Sequence, residues 1–324
     1  MSRSPRFNYI ITIHNKEDLI EKVITSVLMC CRDNSYVYPV IDGCTDKSEE
    51  IIDRIINTYS GAPIVKVHTG DVHELLSINA GLKAANQDEF GYNIILQDDV
   101  ILADFHLEEK LIALYEWAGA QLGYVSFRLG ANFSQDAATS NRSVPLEDYV
   151  ENAYGHGLQN AEVLLPGHFV YRSVPIKSPV CLPTRLVKSV GMFDERLAPY
   201  GHDDTELALR LLRAGYRNGV FSIKFISDID WGGTRTSPHP ELNKIIIRNM
   251  DIIRELHKED IIKICQTGQG GNISVVPGMS SEEEVRSGEI AWNINKDNLV
   301  KYQKSTLTLL SVIKYFIQKI RANF

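Results

Sequence analysis

The chain has 324 residues, of which 44% are hydrophobic and 23% charged, an ordinary composition for a globular protein. Its net charge of −7 argues against broad nucleic-acid binding, which depends on Lys and Arg neutralising phosphates, so we expect no nucleic-acid partner. The five cysteines are scattered without a CxxC pair, which favours reduced thiols in the cytoplasm over disulfides or a zinc site. No apolar stretch reaches the roughly 20 residues that span a bilayer, and the N-terminus lacks the features of a signal peptide.

The first hundred residues alternate between apolar runs and amphipathic segments. Strands are predicted at residues 7–13, 36–41, 63–68 and 92–97. Three helices are predicted in this region. The first covers residues 16–31, the second follows a cap at Asp46 or Ser48, and the third covers residues 74–86. This alternation predicts a parallel sheet covered by helices. Because ligands bind beyond the carboxyl ends of such strands, Asp42 and the Asp98–Asp99 pair fall where a ligand is expected.

The pattern changes after residue 100. Residues 128–180 are rich in Asn, Ser, Gly and Pro, which predicts long loops over the sheet. Residues 266–290 combine several glycines with an acidic run, which predicts a loose linker. Helices are predicted at residues 184–191, 204–214, 240–264 and 297–322, and a strand within 218–226.

Asp98 and Asp99 directly follow the apolar strand YNIILQ. Adjacent carboxylates are costly when buried without partners, because like charges raise each other's pKa. A divalent cation removes that cost, and Mn²⁺ or Mg²⁺ on oxygen ligands also binds substrate phosphates. The alternative is an exposed acidic turn. Asp42, in VIDGCTD, is either a turn residue or part of the same cleft.

Residues 191–216, GMFDERLAPYGHDDTELALRLLRAGY, form the most specific stretch. Asp203 and Asp204 begin its helix, where the dipole and the free N–H groups stabilise a carboxylate. Each is therefore either a helix cap or, beside a cleft, a general base toward a hydroxyl group.

Four stretches in this order resemble the family 2 glycosyltransferases: ITIHNKEDLIEKVITSVL, VIDGCTDKSEEII, SINAGLKAA followed by YNIILQDDV, and VGMFDERLAPYGHDDTELALRLLRAGY. The resemblance implies the GT-A fold, an α/β, Rossmann-like and mostly parallel sheet flanked by helices. It places a GT-A domain at 1–235, with a nucleotide-sugar half at about 1–100 and an acceptor half at about 101–235. A helical C-terminal extension at 236–324 contains the predicted linker.

The resemblance also implies an inverting transfer of a sugar from a nucleoside-diphosphate sugar, foremost UDP or dTDP, to a hydroxyl of a glycan or glycolipid. Mn²⁺ or Mg²⁺ is the implied cofactor. By analogy, such an enzyme works in surface polysaccharide synthesis, in the cytoplasm or at the inner face of the membrane. The implied site residues are the base Asp204 with Asp203 beside it, the donor contacts Thr12, Asn15, Asp42 and Asp98, and the metal ligands Asp99 and Asp230. Trp231 and His202 are candidates for the acceptor side, although Trp231 equally fits core packing.

The chain departs from the family pattern at three places. His14–Asn15 stands where Tyr-Asn is common, and Ile41 replaces one acid of the usual Asp-Asp-Gly. SDIDWGGT offers Asp230, or Asp228, where a His is a frequent metal ligand. These departures leave open a non-catalytic nucleotide- or sugar-binding protein. A nucleotidyltransferase is the second alternative, but residues 14–18 lack the glycines of a triphosphate-binding loop.

The predicted helix at 297–322 is basic and amphipathic, with no acidic residue from Leu299 onward. Such a helix can lie on an anionic membrane surface, which would suit an acceptor on a lipid carrier. Packing on the catalytic domain or a homodimer contact are the alternatives, and we favour these slightly.

Overall fold

The computed structural model describes residues 4–59, 61–85, 90–140, 144–227, 231 and 241–298. Its strands are β1 (Phe7–Ile13), β2 (Ser35–Asp42), β3 (Val67–Thr69), β4 (Tyr92–Gln97), β5 (Ile101–Leu102), β6 (Leu122–Ser126), β7 (Leu129–Phe133), β8 (Leu146–Asn152), β9 (Glu162–Leu164), β10 (His168–Tyr171), β11 (Val174–Ile176), β12 (Val180–Pro183), β13 (Arg217–Phe221), β14 (Phe225–Ile226) and β15 (Ser274–Val275). Its helices are α1 (Ile20–Cys30), α2 (Ser48–Thr58), α3 (His73–Ala84), α4 (Leu107–Ala118), α5 (Thr184–Val190), α6 (Asp203–Arg213), α7 (Leu242–Thr267) and α8 (282–298).

A nine-stranded sheet forms the centre of the molecule, in the order β15-β10-β13-β6-β12-β4-β1-β2-β3. β1 pairs in parallel with both β2 and β4, and β13 pairs in parallel with β6. β12 lies antiparallel between β4 and β6, and β10 lies antiparallel to β13. Since β10 and β12 run against the other strands, the sheet is mostly parallel, and the predicted α/β fold is confirmed.

The sheet is covered on both faces, which explains why β1 is mostly apolar. All seven of its residues are buried. Tyr9 and Ile11 pack in one cluster with residues of α1, α2 and α4. Ile10 points the other way and packs with residues of α3, α5 and α6. A strand buried on both sides gains from apolar residues at every position, as parallel sheets require.

The expectation of long loops at 128–180 is wrong. This segment contains β7 to β12, and β11, β7, β8 and β9 form a second, four-stranded sheet. Its strands are short, and β8 buries its last three residues while its first four stay partly or fully exposed. Short strands rich in turn-forming residues show no clear period-two pattern, so the sheet was invisible in the sequence.

Three further bounds differ from the sequence expectations. α1 begins at Ile20 rather than at residue 16. The third strand is reduced to Val67–Thr69. The stretch 266–290, expected as a loose linker, contains β15, which pairs with β10, and the start of α8. The predicted helix at 297–322 lies outside the described residues beyond residue 298, and the domain division at 235 stays a prediction.

α7 packs against α6 through a buried polar contact. The Nε2 atom of His257 lies 3.1 Å from Glu206 Oε1, and the side chains of both residues are almost fully buried. Arg210 also donates to Glu206, at 2.8 Å. These contacts fix the helix that carries Asp203 and Asp204. Among the described helices, none combines the length and apolar character needed to cross a membrane.

Close packing of α3 on the sheet predicts the effect of one substitution. A Cβ atom at Gly81 would lie 2.4 Å from Ile10 Cγ2 and 2.9 Å from Val40 Cγ2. Overpacking of this kind costs about 1–3 kcal/mol, more than Ala gains over Gly in a helix. We therefore expect Gly81→Ala to lower the free energy of unfolding measured by urea denaturation. Gly70→Ala is the control, because nothing lies within 4 Å of its added Cβ; equal stability of the two variants would contradict the packing argument.

Candidate active site

The parallel strands β1, β2 and β4 end at one edge of the sheet. Thr12 pairs in register with Val40 on one side and with Gln97 on the other. Asp42 closes β2, and Asp98 follows Gln97 directly. The convergence expected from the sequence is therefore present, and the acidic side chains are gathered by strand pairing alone.

Asp98 and Asp99 differ in their surroundings. Asp98 Oδ2 accepts a hydrogen bond of 2.9 Å from the His14 amide. Burial raises the pKa of Asp98 to about 7, against the opposing effects of that amide and of Lys16. Asp99 is only 6% exposed, and its Oδ1 makes no hydrogen bond within the described part of the chain. A buried carboxylate oxygen without a partner is costly, and a hard divalent cation is the ligand that would satisfy it.

Asp42 lies in a tightly built corner beside this pair. Its Oδ1 accepts hydrogen bonds from Thr69 Oγ1 at 2.8 Å and from the Val72 amide at 2.7 Å. Gly43 has φ +57°, and a Cβ there would lie 2.6 Å from Asp71 Cβ. The position therefore requires glycine, for backbone conformation and for space. The turn after β2 is thus held against the loop after β3 by hydrogen bonds and close packing.

His14, Asp42 and Asp71 make a second group of possible metal ligands, with ligand atoms within 4.8 Å of one another. His14 Nδ1 lies 2.7 Å from the Asp42 carbonyl oxygen. A carbonyl only accepts, so Nδ1 carries the proton and Nε2 is the nitrogen that could meet a cation. Nε2 already lies 3.2 Å from the Asn15 Nδ2 atom, which can only donate to it, whereas Asp99 Oδ1 has no partner in the described part of the chain. Asp99 is therefore our first candidate for a metal ligand, and this cluster is the second.

Asn15 and Thr12 have structural contacts that bear on their expected donor role. Asn15 has φ +50°, and its Oδ1 accepts hydrogen bonds from the Thr45 amide at 2.8 Å and the Asp46 amide at 3.3 Å. Its carbonyl oxygen is thus committed to the turn after β2. Thr12 is 8% exposed, and its hydroxyl donates to the Leu96 carbonyl at 3.5 Å. Donor contacts by these two residues stay predictions.

Asp203 and Asp204 open α6 with unequal exposure. Asp203 is 1% exposed; its Oδ1 accepts from the Gly201 amide at 3.1 Å, and its Oδ2 accepts from the Lys177 ammonium. Asp204 is partly exposed, and its Oδ1 accepts from the Thr205 amide at 2.7 Å. Burial and the neighbouring Asp203 raise the pKa of Asp204 to about 6, against Lys177. Such a carboxyl is ionised at neutral pH and still basic enough to take a proton.

A continuous set of contacts joins α6 to the acidic strand end. The Lys177 ammonium, which donates to Asp203, lies 3.1 Å from Glu74 Oε1. Gln97 Nε2 donates to the same Glu74 oxygen at 2.6 Å. Gln97 directly precedes Asp98, so side-chain contacts connect the start of α6 to the strand that leads into the acidic pair. Sequence reasoning did not find Lys177 or Glu74, since neither belongs to a local motif.

The acceptor-side candidates are only partly described. His202 has φ +62° and directly precedes α6, and burial lowers the pKa of its imidazole. Trp231 is partly buried and packs against the cluster that contains Tyr9. Its carbonyl accepts a hydrogen bond of 2.5 Å from Lys16 Nζ. Asp230 and Asp228 lie outside the described residues, so the further metal ligand stays a prediction.

Comparison with solved structures supports the fold. The sheet has the GT-A fold, which the chain shares with S. aureus TarS 1-349 in complex with UDP-GlcNAc, at 14% identity and a TM-score of 0.52 over 79% of this chain and 70% of that one. Another structure of S. aureus TarS gives 0.50 at 16% identity, over 79% of this chain and 42% of that one. Mannosyltransferase PcManGT from Pyrobaculum calidifontis, in complex with GDP-Man and Mn²⁺, gives 0.49 at 16% identity, over 82% and 74%.

Residues 9–160 match the family model described as Glycosyl transferase family 2, which confirms the resemblance drawn from the sequence over that part of the chain. The matched residues include most of β1, all of β2 and β4, and the Asp98–Asp99 pair. A comparison with curated protein sequences finds no match. The chain is thus similar to the family 2 glycosyltransferases over residues 9–160, and it has the GT-A fold.

The unpartnered oxygen of Asp99 predicts a metal response that depends on this residue. With UDP present, Mn²⁺ should raise the unfolding temperature of the wild-type protein, because ligands that bind the native state stabilise it. Asp99→Asn should remove that increase, because an amide is a weaker ligand for a hard cation. The measurement is thermal unfolding with UDP, in EDTA and in Mn²⁺.

Asp104→Asn is the matched control for this experiment. Asp104 is also 6% exposed, but its carboxylate pairs with Lys110 at 2.8 Å. The control should unfold at a lower temperature yet keep the full Mn²⁺ increase. A wild-type Mn²⁺ increase in Asp99→Asn would show that Asp99 is not a ligand.

Proposed function

We propose that this protein transfers a sugar from a nucleoside-diphosphate sugar to a hydroxyl of a glycan or glycolipid, with inversion at the anomeric carbon. The observation that carries the proposal is the contact path from Asp203, beside Asp204, through Lys177 and Glu74 to Gln97, the residue before Asp98. We infer that one cleft holds two kinds of acid. Asp99 has a buried oxygen suited to a cation, and Asp204 has a partly exposed carboxylate suited to a proton.

Asp204 is the proposed general base for the acceptor hydroxyl. Its carboxylate takes the proton of the acceptor hydroxyl while that oxygen attacks the anomeric carbon. The new carbon–oxygen bond forms as the bond to the diphosphate breaks, and the electron pair leaves with the diphosphate. One displacement from the opposite face inverts the anomeric centre. Asp203 is less suited to this role, because both its oxygens are engaged, by Lys177 and by the Gly201 amide.

The nucleotide-sugar donor would bind at the edge formed by β1, β2 and β4. Asp99 and, by prediction, Asp230 would hold Mn²⁺ or Mg²⁺, which when bound neutralises charge on the leaving diphosphate. Asp42, with a buried carboxylate, accepts hydrogen bonds, so it suits a base that offers an N–H. Uracil and thymine each offer one at N3, which supports UDP- or dTDP-sugars. Guanine also offers an N–H, so GDP-sugars belong in the test.

Asp204→Asn tests the catalytic assignment. We expect it to slow transfer by about 100-fold or more, the usual contribution of a general base, while donor binding persists. The measurement is release of nucleoside diphosphate from UDP-, dTDP- and GDP-sugars with Mn²⁺ and an acceptor that supports transfer. Asp194→Asn is the control from the same stretch, because Asp194 caps a short 3₁₀ helix and pairs with Arg196. A wild-type rate of transfer by Asp204→Asn would contradict the assignment of Asp204 as the base.

The pH profile gives an independent check of the same residue. A carboxyl group acts as a base only when ionised, so kcat/KM should fall as the pH drops through about 6, where Asp204 takes up its proton. Residual activity of Asp204→Asn should lack this acidic limb. If nucleotides bind with Mn²⁺ but no sugar is transferred from any of the three donors, the protein is instead a non-catalytic binding protein.

A further inference from the structure

Lys177 lies at the meeting point of the two halves of the site. Its side chain is 8% exposed, and its ammonium donates to Asp203 and lies 3.1 Å from Glu74 Oε1. Asp203 belongs to α6 and Glu74 to α3, so one cation bridges two helices. The next residue, Ser178, accepts a hydrogen bond of 3.1 Å at its Oγ from the Gln97 amide, which ties the same segment to β4.

The charges around Asp204 are unbalanced without this ammonium. Asp203 lies beside Asp204 on α6, and Glu74, on α3, contacts the same Lys177 ammonium that Asp203 contacts. Tyr124 contributes a neutral hydroxyl from β6 that is buried and makes no hydrogen bond among the residues described. Three carboxylates therefore share one cation. Burial opposes the charge of Lys177, but Asp203, Glu74 and Asp204 outweigh that effect and raise the pKa of Lys177, so it stays protonated.

We propose that Lys177 is a positioning residue for transfer: it neutralises the buried carboxylates around Asp204 and ties the start of α6 to the strand that ends at Asp98. This inference rests on the proposed role of Asp204 as the base. Two consequences follow. Asp204 keeps its negative charge near neutral pH, because the cation offsets the repulsion from Asp203. The base also keeps a fixed distance from the donor edge, because Lys177 and Ser178 contact both.

The test is a titration of the Asp204 carboxyl group by ¹³C NMR, assigned with Asp204→Asn, which needs no substrate. In Lys177→Met the Asp203–Asp204 pair should hold a proton to higher pH, and the Asp204 titration should move up by about one pH unit or more, the effect expected for loss of a nearby opposite charge. Lys177→Arg keeps the charge and should titrate close to wild type. The acidic limb of kcat/KM should move with the NMR titration in each variant.

Lys110→Met is the matched control. Lys110 is 12% exposed and pairs with Asp104 at 2.8 Å, outside the site. Lys110→Met should lower the unfolding temperature without changing the pH at which Asp204 titrates. The control therefore separates the general effect of losing a buried ion pair from the specific effect of losing Lys177. Circular dichroism checks that each variant is folded. If Lys177→Met does not fold, Lys177→Gln, which keeps a donor for Asp203, replaces it with the same expected upward shift.

An unchanged Asp204 titration in a folded, neutral Lys177 variant overturns the inference. That outcome is distinct from failure of the proposed function, which would appear as undiminished transfer by Asp204→Asn whatever the titration shows. An upward shift shared by Lys177→Met and Lys177→Arg would also overturn the inference, because the charge would then not be the cause.

Discussion

Parallel pairing of β1 with β2 and β4 is the constraint on which the site depends. These three strands end at the same edge, so Thr12 pairs with Val40, 28 positions away, and with Gln97, 85 positions away. The strands are mostly apolar because both faces are covered, apart from the buried pair Asn8 and Asn93, and the acidic side chains stand at the end of β2 and directly after β4. Asp42 and Asp98–Asp99 therefore occupy this edge as a consequence of topology, before any contact between them is considered.

The two members of each acidic pair differ in their contacts. In the strand-end pair, Asp98 is held by the His14 amide, and Asp99 keeps an oxygen with no partner among the described residues. In the helix-start pair, Asp203 is held by Lys177, and Asp204 is partly exposed. In each pair one carboxylate is held by protein contacts, and the other is the one to which we assign a role in transfer. A buried carboxylate without a partner is unfavourable. For Asp203 the partner is Lys177, and for Asp99 we propose a divalent cation.

The sequence predicted those parts whose pattern is local. β1, β4 and α6 agree with their predicted bounds within a residue, because long apolar runs and helical periodicity are strong signals. The second sheet was missed because its strands are short and half-exposed. Lys177 and Glu74 were missed for another reason: their ion pair joins residues far apart in sequence, and no local spacing records it. The contact of the Asn15 side-chain carbonyl with the turn after β2 was also missed, because it depends on the folded backbone; its donor contact stays a prediction.

The central claim is that a divalent cation at Asp99 and a base at Asp204 serve one transfer reaction across a single cleft. The most direct measurement is a crystal structure with Mn²⁺ and UDP, using anomalous scattering to locate the metal. The account predicts one Mn²⁺ at about 2 Å from an Asp99 carboxylate oxygen, with the UDP diphosphate bound to it on the side that faces Asp204. A metal held instead by His14, Asp42 and Asp71, or a diphosphate bound away from the start of α6, would contradict it.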